Sequence, residues 1–324
     1  MNKNALLTLT LSLAALCAAR PAAAMDSKAG TGAGAFMKLG LGAPRAQALG
    51  HAASALVTGT EAMAWNVGGM AYTSAHELGV SHLSWVQDYK ANYFAYVHPI
   101  GRTVLGVNVG YLSLNDFDAR DVNNIPQPND SVSVSNSFMS LNIARSFLWD
   151  SLALGAGVKR VTENNNGTEY SNVVFDVGAQ FKPWRKLAFG AAVQNIGDSA
   201  EVVRIQRLGA ALLLNSYFTL SGEIEKASDN RARAGFGLEA TLPEDMLQVG
   251  KFSLRAGYYD NDDMGRNYDD SMMENLGLQK SSKLSFGVGL MAGDVFGYSL
   301  ALDYTFVPMG ALGKASQIMA KVQF

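Results

Sequence analysis

The side chains with chemical potential fall into three groups. His82 and His98, with Ser81 and Ser84 nearby, could supply the base and nucleophile of a hydrolase if a polar group stood beside the histidine to orient it. Asp260, Asp262, Asp263, Asp269 and Asp270 crowd one segment and offer oxygen ligands to calcium, but the spacing and glycine of a calcium loop are missing. A solvated acidic loop is the expected role. Glu223, Glu225, Arg231 and Arg233 flank a turn centred on Ser228, which sets Glu225 opposite Arg231 and Glu223 opposite Arg233. Opposite charges facing each other on adjacent strands fix register, so these four read as ion pairs rather than as an acid and a base. Gly30–Gly34 has neither the preceding strand nor the following lysine of a phosphate-binding loop. No catalytic residue, cofactor or metal is expected.

The elements that carry these residues have a period of two. In 172–182, Val173, Phe175, Val177, Ala179 and Phe181 share one face, while Asn172, Asp176, Gly178, Gln180 and Lys182 share the other, with Val174 the exception. Segments 231–240, 252–259, 283–290 and 298–306 repeat the pattern. Soluble sandwiches rarely keep one face apolar and the other charged or glycine-rich throughout. A transmembrane barrel requires it, because lipid faces one side and the lumen the other, in tilted segments of about 10 residues. The expected fold is therefore all-β, an antiparallel transmembrane barrel of about fourteen strands. These fall near 77–87, 91–99, 103–116, 135–147, 152–163, 172–182, 187–195, 205–214, 218–226, 231–240, 252–260, 282–291, 296–307 and 316–324.

Composition agrees. Charged residues make up 17% of the chain, below the quarter or so usual in soluble proteins, and the net charge is only −2, which argues against a nucleic-acid partner. Mean hydropathy is +0.05. Short connectors are expected after even strands, such as 99–102 and 182–186, with 242–251 after the tenth the exception, and long ones after odd strands, such as 117–134, 164–171 and 261–281. That parity puts both ends of the barrel in the periplasm. The last strand alternates to an aromatic end at Phe324, which resembles the signal read by the outer-membrane assembly machinery.

Residues 1–24 read as a signal peptide: Lys3, an apolar run from Ala5 to Ala19, and small residues at Ala22 and Ala24. The run is shorter than the roughly 20 residues of a spanning helix. The only cysteine, Cys17, lies inside it, so the exported chain can form no disulfide. Residues 25–76 do not alternate and contain three short helical stretches, 45–49, 52–56 and 61–65. Their apolar content favours burial, so this segment is expected to plug the barrel formed by 77–324.

Three stretches of that segment resemble the PorV/PorQ family of outer-membrane barrels, relatives of the FadL-type long-chain fatty-acid transporters. They are Phe36 to Ala43, Arg45 to Gly50, and Ala64 to Ala71 with Trp65, Asn66 and Gly69. Family members read Trp-Asn-Pro-Ala-Gly-Leu in the last stretch, where this chain has Val67 and Gly68 in place of proline and alanine. The resemblance continues through Tyr96 to Pro99, Val193 to Gly197, Leu254 to Tyr258 and Leu302 to Tyr304. It implies a fourteen-stranded barrel with an N-terminal plug in a bacterial outer membrane. The implied role is docking of secreted protein cargo or secretion-system components; the alternative is FadL-like transport of a hydrophobic ligand, and an outer-membrane hydrolase ranks last.

Overall fold

A computed structural model describes residues 34–86, 89–120, 125–197, 202–242, 250–260, 283–295, 297–309 and 313–324. The signal-peptide reading of 1–24, and Asp262 and Asp263, lie outside these residues. Fourteen antiparallel strands form a closed barrel, each paired with its sequence neighbours and β1 with β14. They are β1 (Glu77–Ser84), β2 (Lys90–Ile100), β3 (Thr103–Arg120), β4 (Pro126–Phe147), β5 (Leu152–Asn165), β6 (Thr168–Trp184) and β7 (Leu187–Ile196). Next come β8 (Ile205–Leu213), β9 (Phe218–Ala227), β10 (Ala232–Leu242), β11 (Lys251–Tyr259), β12 (Leu284–Val295), β13 (Tyr298–Pro308) and β14 (Lys314–Gln323). Before β1 lie two short α-helices, α1 (Pro44–Ala48) and α2 (Gly59–Trp65), and two 3₁₀ turns, Ala35–Leu39 and Val67–Tyr72.

The alternation settles which way each residue faces. Val80, Phe94, Leu141, Val173, Leu208 and Leu290 are among the many large apolar side chains exposed on the outer face. A protein in water would bury them; a bilayer covers them. No helix among the described residues is long and apolar enough to cross a membrane. Aromatic residues gather at the end of the barrel that carries Phe324: Trp149, Trp184, Tyr217 and Phe324 itself are all exposed. Amphipathic rings favour this headgroup level. Phe324 also closes the seam, exchanging backbone hydrogen bonds with His76 (3.0 and 3.1 Å) and stacking on its imidazole (5.5 Å between centroids).

Two expected long connectors are mostly strand. β3 and β4 run through all but 121–125 of the segment read as loop, and β5 and β6 meet in a two-residue turn at Asn166 and Gly167. Both turn residues have positive φ (50° and 89°), which Asn-Gly tolerates at little cost. Beyond the bilayer both faces of a hairpin are wet, so the apolar alternation fades while the ladder continues. The expected pairing of β9 with β10 is also corrected: Arg233 faces Glu225, Gly235 faces Glu223, and Ala232 faces Lys226. The turn centres on Asp229, one residue later than expected, because Asn230 closes it by donating to the Ala227 carbonyl (3.2 Å) while Asp229 is held by Lys38. Moving the centre by one residue shifts register by two, which preserves the facing of every side chain.

Leu208 sits mid-strand on the lipid face. Leu208→Arg is expected to destabilise the barrel by about 2–4 kcal/mol, whereas Leu214→Arg, in the β8–β9 turn, should cost no more than about 1 kcal/mol. Denaturant titration in phospholipid vesicles measures both.

Candidate functional site

Residues 34–73 pack against inward-facing side chains of strands around the ring. Their short elements are too small to stand alone in water and draw their stability from the wall. Gly50 shows how closely they approach: it has φ +60°, and a Cβ there would stand 2.4 Å from the Tyr258 carbonyl oxygen. At Gly69 a Cβ would lie 2.1 Å from the Val57 carbonyl oxygen. Asn66 ties the segment together and to the wall. Its amide donates to the carbonyls of Ser54 (2.8 Å) and Ala179 (2.9 Å), and its oxygen accepts from the Gly68 N–H (3.2 Å).

Two charged networks fasten this inner segment. In the first, Glu223 accepts from the backbone N–H groups of Ala53 (2.9 Å) and Ser54 (2.7 Å) and from the Trp65 indole (3.1 Å). Arg207, fully buried, bridges Glu223 (3.6 Å) and Glu225 (3.0 Å) with its guanidinium 4.0 Å from the Trp65 ring centroid. Tyr259 donates to Glu225 (2.9 Å) and stacks on His51 (4.0 Å). In the second, Arg45 makes a two-pronged bond to Glu239 (2.6 and 2.9 Å), which also accepts from Arg255 (2.7 Å). Arg255 reaches Asp303 (2.5 Å), Asp303 reaches Lys321 (2.9 Å), and Lys321 lies 3.6 Å from Glu61 on α2. These groups line a polar cavity of about 370 Å³. Burial pushes the Glu61 carboxyl above its usual range, with Lys321 opposing.

The other side of the interior is apolar. Phe36, Met37, Leu41, Met63 and Met70 of the inner segment pack on Tyr93, Leu112, Phe138, Val161 and Val174 of the wall. Val174, the exception to alternation, faces this cluster. A gap of only about 20 Å³ remains between Met37, Leu41, Met63, Phe138 and the Lys159–Asn195 pair. That is room for about one water molecule, so a larger apolar guest enters only if side chains move.

Of the expected residues, Arg45, Gly50, Trp65, Asn66 and Gly69 all contact the wall or the segment's own turns, and Glu223 and Glu225 are buried. Arg231 and Arg233 are not the main partners of these glutamates: Arg231 lies 3.7 Å from Asp260, and Arg233 sits over the Tyr259 ring. Arg207 takes that place, since β8 sets it directly opposite Glu225 on the inner face. Its signal was legible, a lone arginine at an inward position of an alternating strand. Asp260 is held by Arg231 and Lys283 (3.2 Å), and no group of three metal-binding side chains occurs among the described residues. His82 and His98 do not meet; His98 packs against His76 and Tyr96 near the Phe324 end.

Closed fourteen-stranded barrels of this shape recur among solved structures. The chain superposes on the Ralstonia pickettii toluene transporter TbuX with a TM-score of 0.57 and 13% identity, covering 88% of this chain and 98% of that one. For the Pseudomonas putida toluene transporter TodX the values are 0.56, 12%, 86% and 96%. For a Pseudomonas aeruginosa FadL homologue they are 0.55, 11%, 87% and 98%. The barrel thus resembles those of outer-membrane transporters. In sequence, residues 12–170 match the model described as an uncharacterised protein family, UPF0164. No curated protein matches the sequence.

Glu239 holds both Arg45 and Arg255, so Glu239→Ala leaves buried cations without their carboxylate, a loss of about 3–5 kcal/mol. Amide exchange across 44–56 should accelerate by about a hundredfold to a few thousandfold while that of the strands changes little. Arg45→Lys, which cannot make the two-pronged bond, should fall between.

Proposed function

We propose that the protein passes hydrophobic small molecules across the bacterial outer membrane, with residues 34–76 acting as a plug that must rearrange for passage. The observation that carries this reading is the apolar side of the interior, where Phe36, Met37, Leu41 and Met63 face Phe138 and Val174 inside a FadL-type barrel. Methionine side chains are flexible and polarisable, which suits a surface that reshapes around varied apolar guests. Two of the similar barrels are toluene transporters, which supports the same class of cargo. The long β3–β4 and β5–β6 hairpins extend the end of the barrel opposite Phe324, which supports an orientation with both chain ends in the periplasm.

Docking of secreted protein cargo, drawn from the PorV/PorQ resemblance, has less behind it. The acidic segment it would use lies mostly outside the described residues, and two of the similar solved structures named above are toluene transporters. Apolar cargo and protein cargo separate cleanly in one experiment. Cells lacking the protein should take up a radiolabelled monoaromatic hydrocarbon or long-chain fatty acid several-fold more slowly, with wild-type protein restoring the rate and the profile of secreted proteins unchanged. Unchanged uptake with lost secretion would reverse the order of the two readings.

A further inference from the structure

The outward face of β1 and β2 carries a polar trio where lipid contact calls for apolar side chains. β1 places His82 and Ser84 two residues apart on that face, and the β1–β2 register sets Asn92 directly opposite His82. Ser84 Oγ lies 3.4 Å from His82 Nε2, and Asn92 Oδ1 lies 2.9 Å from His82 Nδ1. We propose that Ser84, His82 and Asn92 form a lipid-facing hydrolytic triad that cleaves acyl esters of membrane lipids.

The chemistry follows from the hydrogen bonds. A carboxamide oxygen only accepts, so it holds the imidazole proton on Nδ1 and turns the Nε2 lone pair toward the serine hydroxyl. That is the order of nucleophile, base and orienting group found on unrelated folds. The serine–histidine distance is at the loose end typical of a resting site. Ser81, the other serine near His82, is excluded because it points inward and binds Gln317.

Position selects the substrate. The trio stands at the end of β1 next to the β1–β2 connector, with exposed Ile318 directly opposite His82 and exposed Val80 and Phe94 below on the same face. An acyl chain lying along those three residues brings its ester to the level of Ser84. Lys90 and Ser316 occupy the positions opposite Ser84 on β2 and β14, where an ammonium and a hydroxyl can stabilise negative charge on the carbonyl oxygen.

Ser84 Oγ attacks the ester carbonyl carbon and its proton passes to His82 Nε2. The tetrahedral intermediate collapses by breaking the C–O bond to the lipid alcohol, which leaves with that proton. Water, deprotonated by His82, then attacks the acyl-serine, releasing the fatty acid and returning the proton to Ser84. Asn92 is a positioning residue that acts through the ring.

The test uses the full barrel purified in detergent and mixed with a phospholipid bearing a fluorescent acyl chain, in parallel with a fluorophosphonate probe. Wild type should release labelled fatty acid and carry the probe on Ser84, located by mass spectrometry. Ser84→Ala and His82→Gln should each lower release by about a hundredfold or more. Asn92→Ala should lower kcat with little change in KM and move the pH profile, and Asn92→Asp should recover much of the rate. Heat-dependent gel mobility confirms that each variant is folded. Release by wild type no faster than by folded Ser84→Ala, or probe found on other residues only, would overturn the proposal. Ser84→Ala should leave hydrocarbon uptake unchanged, so this test and that of transport fail separately.

Discussion

Backbone N–H and C=O groups have no water to bind inside a bilayer, and every other feature of this molecule follows from how that requirement is met. Each strand pairs on both edges, and β1 meets β14 so that no edge is left open. Once the ring is closed, the side chains separate into an outer set that must be apolar and an inner set free to be charged. Buried carboxylates and guanidinium groups then become affordable only because they meet each other. Arg207 between Glu223 and Glu225, and Arg255 between Glu239 and Asp303, are the clearest cases.

The inner segment completes that pairing rather than merely filling space. Arg45 supplies Glu239 with a second cation, and the backbone of Ala53 and Ser54 supplies Glu223 with donors. A segment held by directional bonds on one side and by pliable methionine and phenylalanine contacts on the other is fastened unevenly. The apolar side is where it can yield without stranding a buried charge.

Much of this was legible in the order of residues. The alternation of Val173, Phe175 and Val177 with Asp176 and Gly178 marks the wall directly, because a strand between lipid and lumen tolerates no other pattern. The ends of β3, β4, β5 and β6 were not legible, since hairpins standing in water lose the apolar face that identifies them. The partners of Glu223 and Glu225 depend on the hairpin turn: a centre at Asp229 rather than Ser228 carries Arg233, not Arg231, opposite Glu225. Alternation marks Arg207 as an inward arginine, but it lies on a different strand, and only the complete register brings it to the two glutamates. The bonding of His82 to Asn92 depended likewise on the β1–β2 pairing.

Passage of cargo through this barrel requires an apolar molecule to enter the side of the interior bounded by Phe36, Met63 and Phe138. A crystal structure of the barrel with a brominated aromatic hydrocarbon, phased to show the bromine by anomalous scattering, tests this directly. Bromine between those side chains, with Met37 or Met63 displaced, is the predicted result. Bromine confined to the outer lipid-facing wall, with the interior unchanged, would contradict it.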